Sequence, residues 1–161
     1  MMPQRRRFAG FTLIEMIVTV ALVGIIASIA TPFLKLHIER EKERELKAAL
    51  SNIRAAIDSY KRAGDEGLIS PSADPPRYPR TLAELVDGVA NRRDPKAHKI
   101  YFLRRLPRDP MSSSSTATAE ETWGKRSYAS EPDKPEDGDD VYDVYSLSGK
   151  TGTNGIPYRE W

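Results

Sequence analysis

The sequence predicts an α+β protein in which a long N-terminal helix packs on a small antiparallel β-sheet. An apolar run that starts at Phe11 passes into a helical stripe, and together they predict one helix over residues 11–62. The rest of the chain is rich in proline, glycine and charge, which indicates short elements and turns. Two segments near the C-terminus, residues 126–129 and 141–147, have the composition or alternation of β-strands.

The beginning of the chain carries the clearest pattern. A basic head, Arg5 to Arg7, precedes the apolar run, and residues 16–34 are 19 consecutive residues without a charge. As a helix this run is about 28 Å long, close to the thickness of a bilayer core. The basic head predicts a cytoplasmic N-terminus and an external C-terminal part. We therefore expect residues 11–36 to form a transmembrane half of the helix.

The helix is predicted to leave the membrane and enter a domain over residues 37–161. Pro32 removes a backbone hydrogen bond, so we expect it to bend the helix. Charges of alternating sign fill residues 35–47, which is typical of a solvated helix; pairing of these charges between subunits is a second interpretation. An apolar stripe follows at intervals of 4, 3, 4 and 3 residues: Leu46, Leu50, Ile53, Ile57 and Tyr60. This spacing marks one helix face, which we expect to lie on the domain core.

The remaining segments are short. Thr81 and Glu84 have capping-box spacing, which predicts a second helix over residues 82–90. Residues 99–103 are expected to be extended, and the Ser/Thr/Ala-rich residues 112–119 to form a loop. The glycine-rich tail is expected to be loop-like, with Trp161 as an apolar plug on the core.

Composition excludes several classes of function. The net charge is only +2, from 25 Lys and Arg against 23 Asp and Glu, so no nucleic acid is expected as a partner. There is no Cys, and His37 and His98 are the only histidines, which disfavours thiolate or histidine metal sites and nucleophilic catalysis. Asp109, Glu120 and Glu121 have no spacing that supports acid–base chemistry. We therefore expect no catalytic residue and no enzyme.

The apolar N-terminal segment has three interpretations. Ser28 and Ala30 satisfy the cleavage rule of a secretory signal, but the apolar run is longer than such signals and contains Glu15. A plain membrane anchor explains the length, but a carboxylate inside it costs about 2.5–3.5 kcal/mol and normally has a partner. A third interpretation, which rests on the residues around Glu15, supplies that partner.

Residues Gly10-Phe11-Thr12-Leu13-Ile14-Glu15, with the basic head and the apolar run, resemble the type IV prepilin processing motif. The resemblance implies that a prepilin peptidase cuts between Gly10 and Phe11, removes residues 1–10 as a leader and N-methylates Phe11. It also implies that Glu15 pairs with the terminal amine of a neighbouring subunit and so sets the assembly register. Pro32 falls where many members of this family carry a helix-bending proline.

Later motifs are similar to the major (G-type) pseudopilins of type II secretion systems. They are Arg104-Arg105-Leu106-Pro107-Arg108-Asp109-Pro110, Trp123-Gly124 and Asp143-Val144-Tyr145-Ser146-Leu147. The resemblance implies a pilin-like fold and a structural subunit that polymerises from the inner membrane to drive protein export across the outer membrane. Implied partners are further copies of the chain, minor pseudopilins, the prepilin peptidase, and the inner-membrane secretion platform with its ATPase. The chain is then a single-pass inner-membrane protein with a periplasmic domain, later assembled into a periplasmic pseudopilus.

The sequence departs from that family in two places. Residues 111–122 separate Asp109-Pro110 from Trp123-Gly124, which are almost contiguous in the family. Major pseudopilins also bind calcium in the loop after the Ser-Leu motif, yet residues 148–159 contain no acid. Calcium needs six to eight oxygen ligands, with carboxylates among them, so no cofactor is expected. Five acidic residues elsewhere form either a substitute set of calcium ligands or a solvated loop before a strand: Glu136, Asp137, Asp139, Asp140 and Asp143.

Two alternatives remain beside the pseudopilus subunit. One is a type IV pilin or minor pilin for adhesion or DNA uptake, which the absence of Cys weakly disfavours because surface pilins often carry a disulfide loop. The other is a membrane-anchored periplasmic enzyme or binding domain, which leaves Glu15 and the Gly10-Phe11 pair unexplained.

Overall fold

We describe the protein from a computed structural model, which covers residues 11–73, 75 and 77–161, without the side chains of residues 29–34. The chain divides into two compact units, with the boundary between Glu39 and Arg40. The described residues form one long helix near the start of the chain, followed by short helices and two antiparallel two-stranded sheets. The predicted α+β, pilin-like fold class is therefore confirmed.

Helix α1 spans Leu13–Asp65, which is 53 residues. Thr12 caps its start, because the Thr12 hydroxyl accepts the backbone N–H of Glu15 at 3.3 Å. The helix continues three residues beyond the predicted end at 62. It stops where Gly67 adopts a positive φ of 69° and the Leu68 N–H donates to the Ala63 carbonyl at 2.8 Å.

The transmembrane half predicted over residues 11–36 remains a prediction. In the part of the chain that the structure describes, no helix combines the length and the hydropathy needed to cross a membrane. Residues 29–34 of the predicted span are among those whose side chains lie outside the description.

The predicted stripe on α1 forms the centre of the domain core. Leu46, Leu50, Ile53, Ile57 and Tyr60 are all buried, with at most 2% of their surface exposed. They join one apolar cluster with side chains from the later segments: Ile69, Tyr78, Leu82, Leu85, Trp123, Val141, Val144 and Tyr158. Burial of one such aliphatic side chain stabilises the fold by about 1.5–3 kcal/mol, so the stripe is a major stabilising element of the domain.

The predicted second helix is shorter than expected. Helix α2 spans Ala83–Asp87, and the chain then forms a two-stranded sheet from β1 (Val89–Ala90) and β2 (Lys99–Ile100). The prediction of a helix to residue 90 was wrong because Gly88 turns the chain with a φ of 72°. The expected capping box is absent. No side chain caps the N-terminus of α2, and Glu84 accepts a hydrogen bond from the Tyr60 hydroxyl instead.

The second sheet pairs β3 (Trp123–Arg126) with β4 (Asp143–Ser146) in antiparallel register. The predicted strand at 126–129 was displaced by three residues, because the chain leaves β3 after Arg126 and Ser127 turns to donate to Asp140 at 2.7 Å. Gly124 lies against Tyr145: a Cβ atom at this position would lie 2.4 Å from the Tyr145 ring, so the ring would have to shift.

Candidate assembly and processing site

The N-terminal part of α1 exposes an apolar surface. Phe11, two residues before α1, has 75% of its surface exposed, and large apolar side chains of α1 are exposed from Leu13 to Ile26. The hydroxyls within this stretch bond to the helix itself, Thr19 to the Met16 carbonyl and Ser28 to the Gly24 carbonyl, both at 2.9 Å. Because these polar groups are satisfied internally, the segment is suited to an apolar environment.

The structure describes only part of the predicted processing site. Gly10 and the leader lie outside the described residues, whereas Phe11, just before α1, and Glu15, in its first turn, are exposed. Helix α1 is continuous through Pro32, whose side chain is not described. Cleavage and methylation at Phe11, the register role of Glu15 and the bend at Pro32 therefore remain predictions.

The charged segment of α1 is not uniformly solvated. Glu41 and Arg44 form an exposed ion pair, as expected for a solvated face. Glu43, in contrast, has only 7% of its surface exposed and binds the C-terminal loop. Sequence reasoning missed this contact, although Glu43 precedes Leu46 by three residues and so extends the buried stripe.

Three α1 side chains hold the tail of the chain, residues 151–161; we call this arrangement the C-terminal clasp. The Glu43 carboxylate accepts the backbone N–H and the hydroxyl of Thr153, both at 2.6 Å, and the Tyr158 hydroxyl at 3.1 Å. Lys47 lies over the Trp161 ring, with Nζ 4.6 Å from the ring centre. Burial raises the pKa of Glu43, but the hydrogen bonds from Thr153 and Tyr158 and the charge of Lys47 outweigh burial and lower it.

Arg54 is the third member of the clasp. Its guanidinium donates to Asp143 at 2.8 Å and to the main-chain oxygens of Val144 and Trp161 at 3.1 and 2.8 Å. Trp161 also packs edge-on against Tyr158 at 5.0 Å and contacts the apolar cluster, as the plug interpretation predicts. The clasp therefore fixes both β4 and the tail to one face of α1.

The separated motifs that carried the resemblance converge in one buried network. Asp109 accepts the Ser146 hydroxyl at 2.6 Å and the Met111 N–H at 2.7 Å, while its own N–H donates to the Thr122 hydroxyl at 3.1 Å. The Trp123 indole donates to the Pro107 carbonyl at 2.9 Å. These contacts join the Asp-Pro turn to β3 and β4, so the motifs have a structural role.

The acids considered for catalysis each have a structural partner. Glu120 accepts the Leu82 N–H at 3.3 Å and lies 3.6 Å from Lys125. Glu121 accepts the N–H and hydroxyl of Thr118, and these hydrogen bonds lower its pKa. With Asp109 in the buried network, the three carboxyl groups do not form a joint site.

The residues around the tail do not fit calcium. The structure shows no group of three or more acids or histidines able to hold a metal ion among the residues it describes. Within the acidic group, Asp140 binds Ser127 and the Tyr128 N–H, whereas Asp143 pairs with Arg54 and Arg126. These two carboxylates therefore serve different contacts, and the tail loop is bound by Glu43 instead.

Comparisons with known proteins agree with this architecture. Residues 5–31 match the model of the prokaryotic N-terminal methylation motif. The type II secretion system core protein G of Pseudomonas aeruginosa is 33% identical over 75% of this chain and 80% of its own length. The protein of the same name from Aeromonas hydrophila is 29% identical over 76% of this chain and 80% of its own length. No solved structure gives a significant match.

A further relative, the fimbrial protein EcpB of Eikenella corrodens, is 32% identical over only 40% of this chain. The fold and the N-terminal motif thus define a pilin-like protein that carries the prokaryotic N-terminal methylation motif. Within that class, the chain belongs to the family of type II secretion system core protein G.

Proposed function

We propose that the chain is a structural subunit of the type II secretion pseudopilus. The observation that carries the proposal is the exposed apolar surface of residues 11–28, on the same helix whose later stripe is buried in a domain core. Apolar surface of this extent is unfavourable in water and calls for lipid before assembly and neighbouring helices after it. The subunit acts mechanically: stacked copies push exported proteins through the outer membrane.

The proposed location is the inner membrane, with the N-terminus in the cytoplasm and residues 37–161 in the periplasm. The basic residues before the apolar run support this orientation. The internally bonded hydroxyls of Thr19 and Ser28 support contact of this segment with lipid tails.

Processing at Gly10 prepares the subunit for assembly. Removal of residues 1–10 frees the amine of Phe11, which the prepilin peptidase then methylates. In the filament, Glu15 pairs with the amine of a neighbouring copy. A buried charge without its partner costs about 3–5 kcal/mol, so a subunit docked out of register is rejected.

Partners follow from this role. They are further copies of the chain, minor pseudopilins, the prepilin peptidase, and the inner-membrane platform with its ATPase. The proposed role of the chain is mechanical and includes no catalysis. The cleavage and methylation of the chain are carried out by the peptidase. A surface pilin is the second candidate, and the partial match to a fimbrial protein is its support.

The mass of the mature chain and a secretion assay test the proposal together. In a host with the secretion system but without its own copy of this protein, we expect a chain that lacks residues 1–10 and carries one added methyl group. We also expect secretion to be restored. Loss of residues 1–30 would indicate an exported soluble protein, and an uncut chain a simple anchor; either result contradicts the proposal. Correct processing with surface fibres but no secretion would favour the pilin.

A further inference from the structure

The loop over residues 151–158 is held by a carboxylate from outside the loop. Glu43 comes from α1, 110 residues before Thr153, and reaches the loop with both of its oxygens. The first oxygen accepts the Thr153 N–H at 2.6 Å and the Tyr158 hydroxyl at 3.1 Å, and the second accepts the Thr153 hydroxyl at 2.6 Å. One side chain thus ties two points of the loop to the helix.

The loop contributes only donors to this arrangement. Residues 148–159 contain no Asp or Glu, so the loop cannot offer carboxylates to a cation. The groups that point at Glu43 are an N–H and two hydroxyls, which suit an anion. A divalent cation in this position would face the donor hydrogen of Thr153, whereas a carboxylate is stabilised by it.

We propose that Glu43 takes the structural place that a calcium ion has in the loop of related pseudopilins, so that this loop is ordered without metal. The remaining clasp contacts also hold the tail on α1. The positive charge of Lys47 acts on Glu43, and its side chain covers the Trp161 ring, while the Tyr158 ring packs on Trp161. The inference concerns how the domain is held together and does not depend on filament assembly.

Hydrogen exchange of the backbone amides in the tail measures directly whether this loop is ordered without calcium. The full chain in detergent micelles is compared in excess CaCl₂ and in excess EDTA, and exchange of the Thr153 amide is followed. We expect the same rate for the wild type in both solutions. In Glu43→Gln we expect exchange at least about tenfold faster in both, because a neutral amide oxygen replaces the charged acceptor and weakens the hydrogen bond of the Thr153 N–H.

Two comparisons keep the test selective. Glu45→Gln changes an exposed acid on the same helix and should leave the Thr153 amide unchanged. The Gly152 amide, which donates to the Ile156 carbonyl at 2.9 Å, reports whether the loop itself stays folded. Slower exchange of the wild-type Thr153 amide in calcium than in EDTA would overturn the proposal. So would an unchanged Thr153 amide in Glu43→Gln.

Discussion

The Ser146 hydroxyl donates a 2.6 Å hydrogen bond to the Asp109 carboxylate, and both side chains are almost fully buried. The two residues are 37 positions apart and belong to different motifs of the sequence. Their contact closes the Asp-Pro turn onto β4, opposite the strand that begins with Trp123. The family motifs therefore describe one buried junction.

Asp109→Ala should destabilise the domain by about 2–3 kcal/mol. The substitution leaves the buried Ser146 hydroxyl and the Met111 N–H without an acceptor, and unpaired buried groups are costly. Thermal unfolding of the full chain in detergent, followed by tryptophan fluorescence, measures the effect. Asp133→Ala, at an exposed acid, is the control and should leave the midpoint unchanged. Equal midpoints for the two variants would show that the junction contributes nothing.

Gly124→Ala should destabilise the β3–β4 sheet by about 1–3 kcal/mol, because the added Cβ atom would lie 2.4 Å from the Tyr145 ring. The same unfolding assay applies. Gly149→Ala is the matched control, since a Cβ atom there meets nothing within 4 Å. A double variant with Tyr145→Ala should recover part of the loss, and no recovery would place the strain elsewhere.

Arg54→Lys should loosen the tail nearly as much as Arg54→Ala. One ammonium cannot replace the planar fork that binds Asp143, Val144 and Trp161 together. Arg54 is partly exposed, so we expect the free energy of unfolding to fall by only about 1 kcal/mol. The measurement is the rate of trypsin cleavage after Arg159, which should rise in both variants. Arg62→Ala, at an exposed arginine of the same helix, should leave that rate unchanged; full rescue by lysine would show that charge alone suffices.

The clasp should make the stability of the domain depend on pH in the acid range. The pKa of Glu43 in the folded protein lies below its usual value of 4.5. Its contribution to the free energy of unfolding is therefore complete above that value and is lost as pH falls through the lower, folded-state pKa. Unfolding midpoints of the wild type and Glu43→Gln, measured from neutral to acidic pH, should converge at the acid end, whereas a constant difference would contradict the role of the charge.

The long helix and its core face could be predicted because their periodicity is local. Five apolar residues on one face of α1 identify the core wherever the later chain packs. The β4 region was likewise visible from its alternation, although its pairing began only at Asp143. Such patterns depend on sequence neighbours alone.

The missed features depend on partners far along the chain. Glu84 has the spacing of a capping residue, yet it accepts the Tyr60 hydroxyl at 2.9 Å and the Ser72 hydroxyl at 2.7 Å, because Tyr60 is buried and needs an acceptor. Glu43 likewise stands in a charged run but binds Thr153. The strands β1 and β2, of two residues each, are too short to give a periodic signal.

The measurement that tests the central claim most directly is cross-linking between subunits in cells that secrete through this system. The chain has no native Cys, so a single pair of introduced cysteines on α1 reports contacts between copies without background. Glu15→Gln keeps the side-chain shape and removes the charge, and Glu45→Gln is the control at an exposed acid. We predict that all variants are cut after Gly10 and that only Glu15→Gln loses both the cross-linked ladder and secretion. An undiminished ladder and normal secretion in Glu15→Gln would contradict the account.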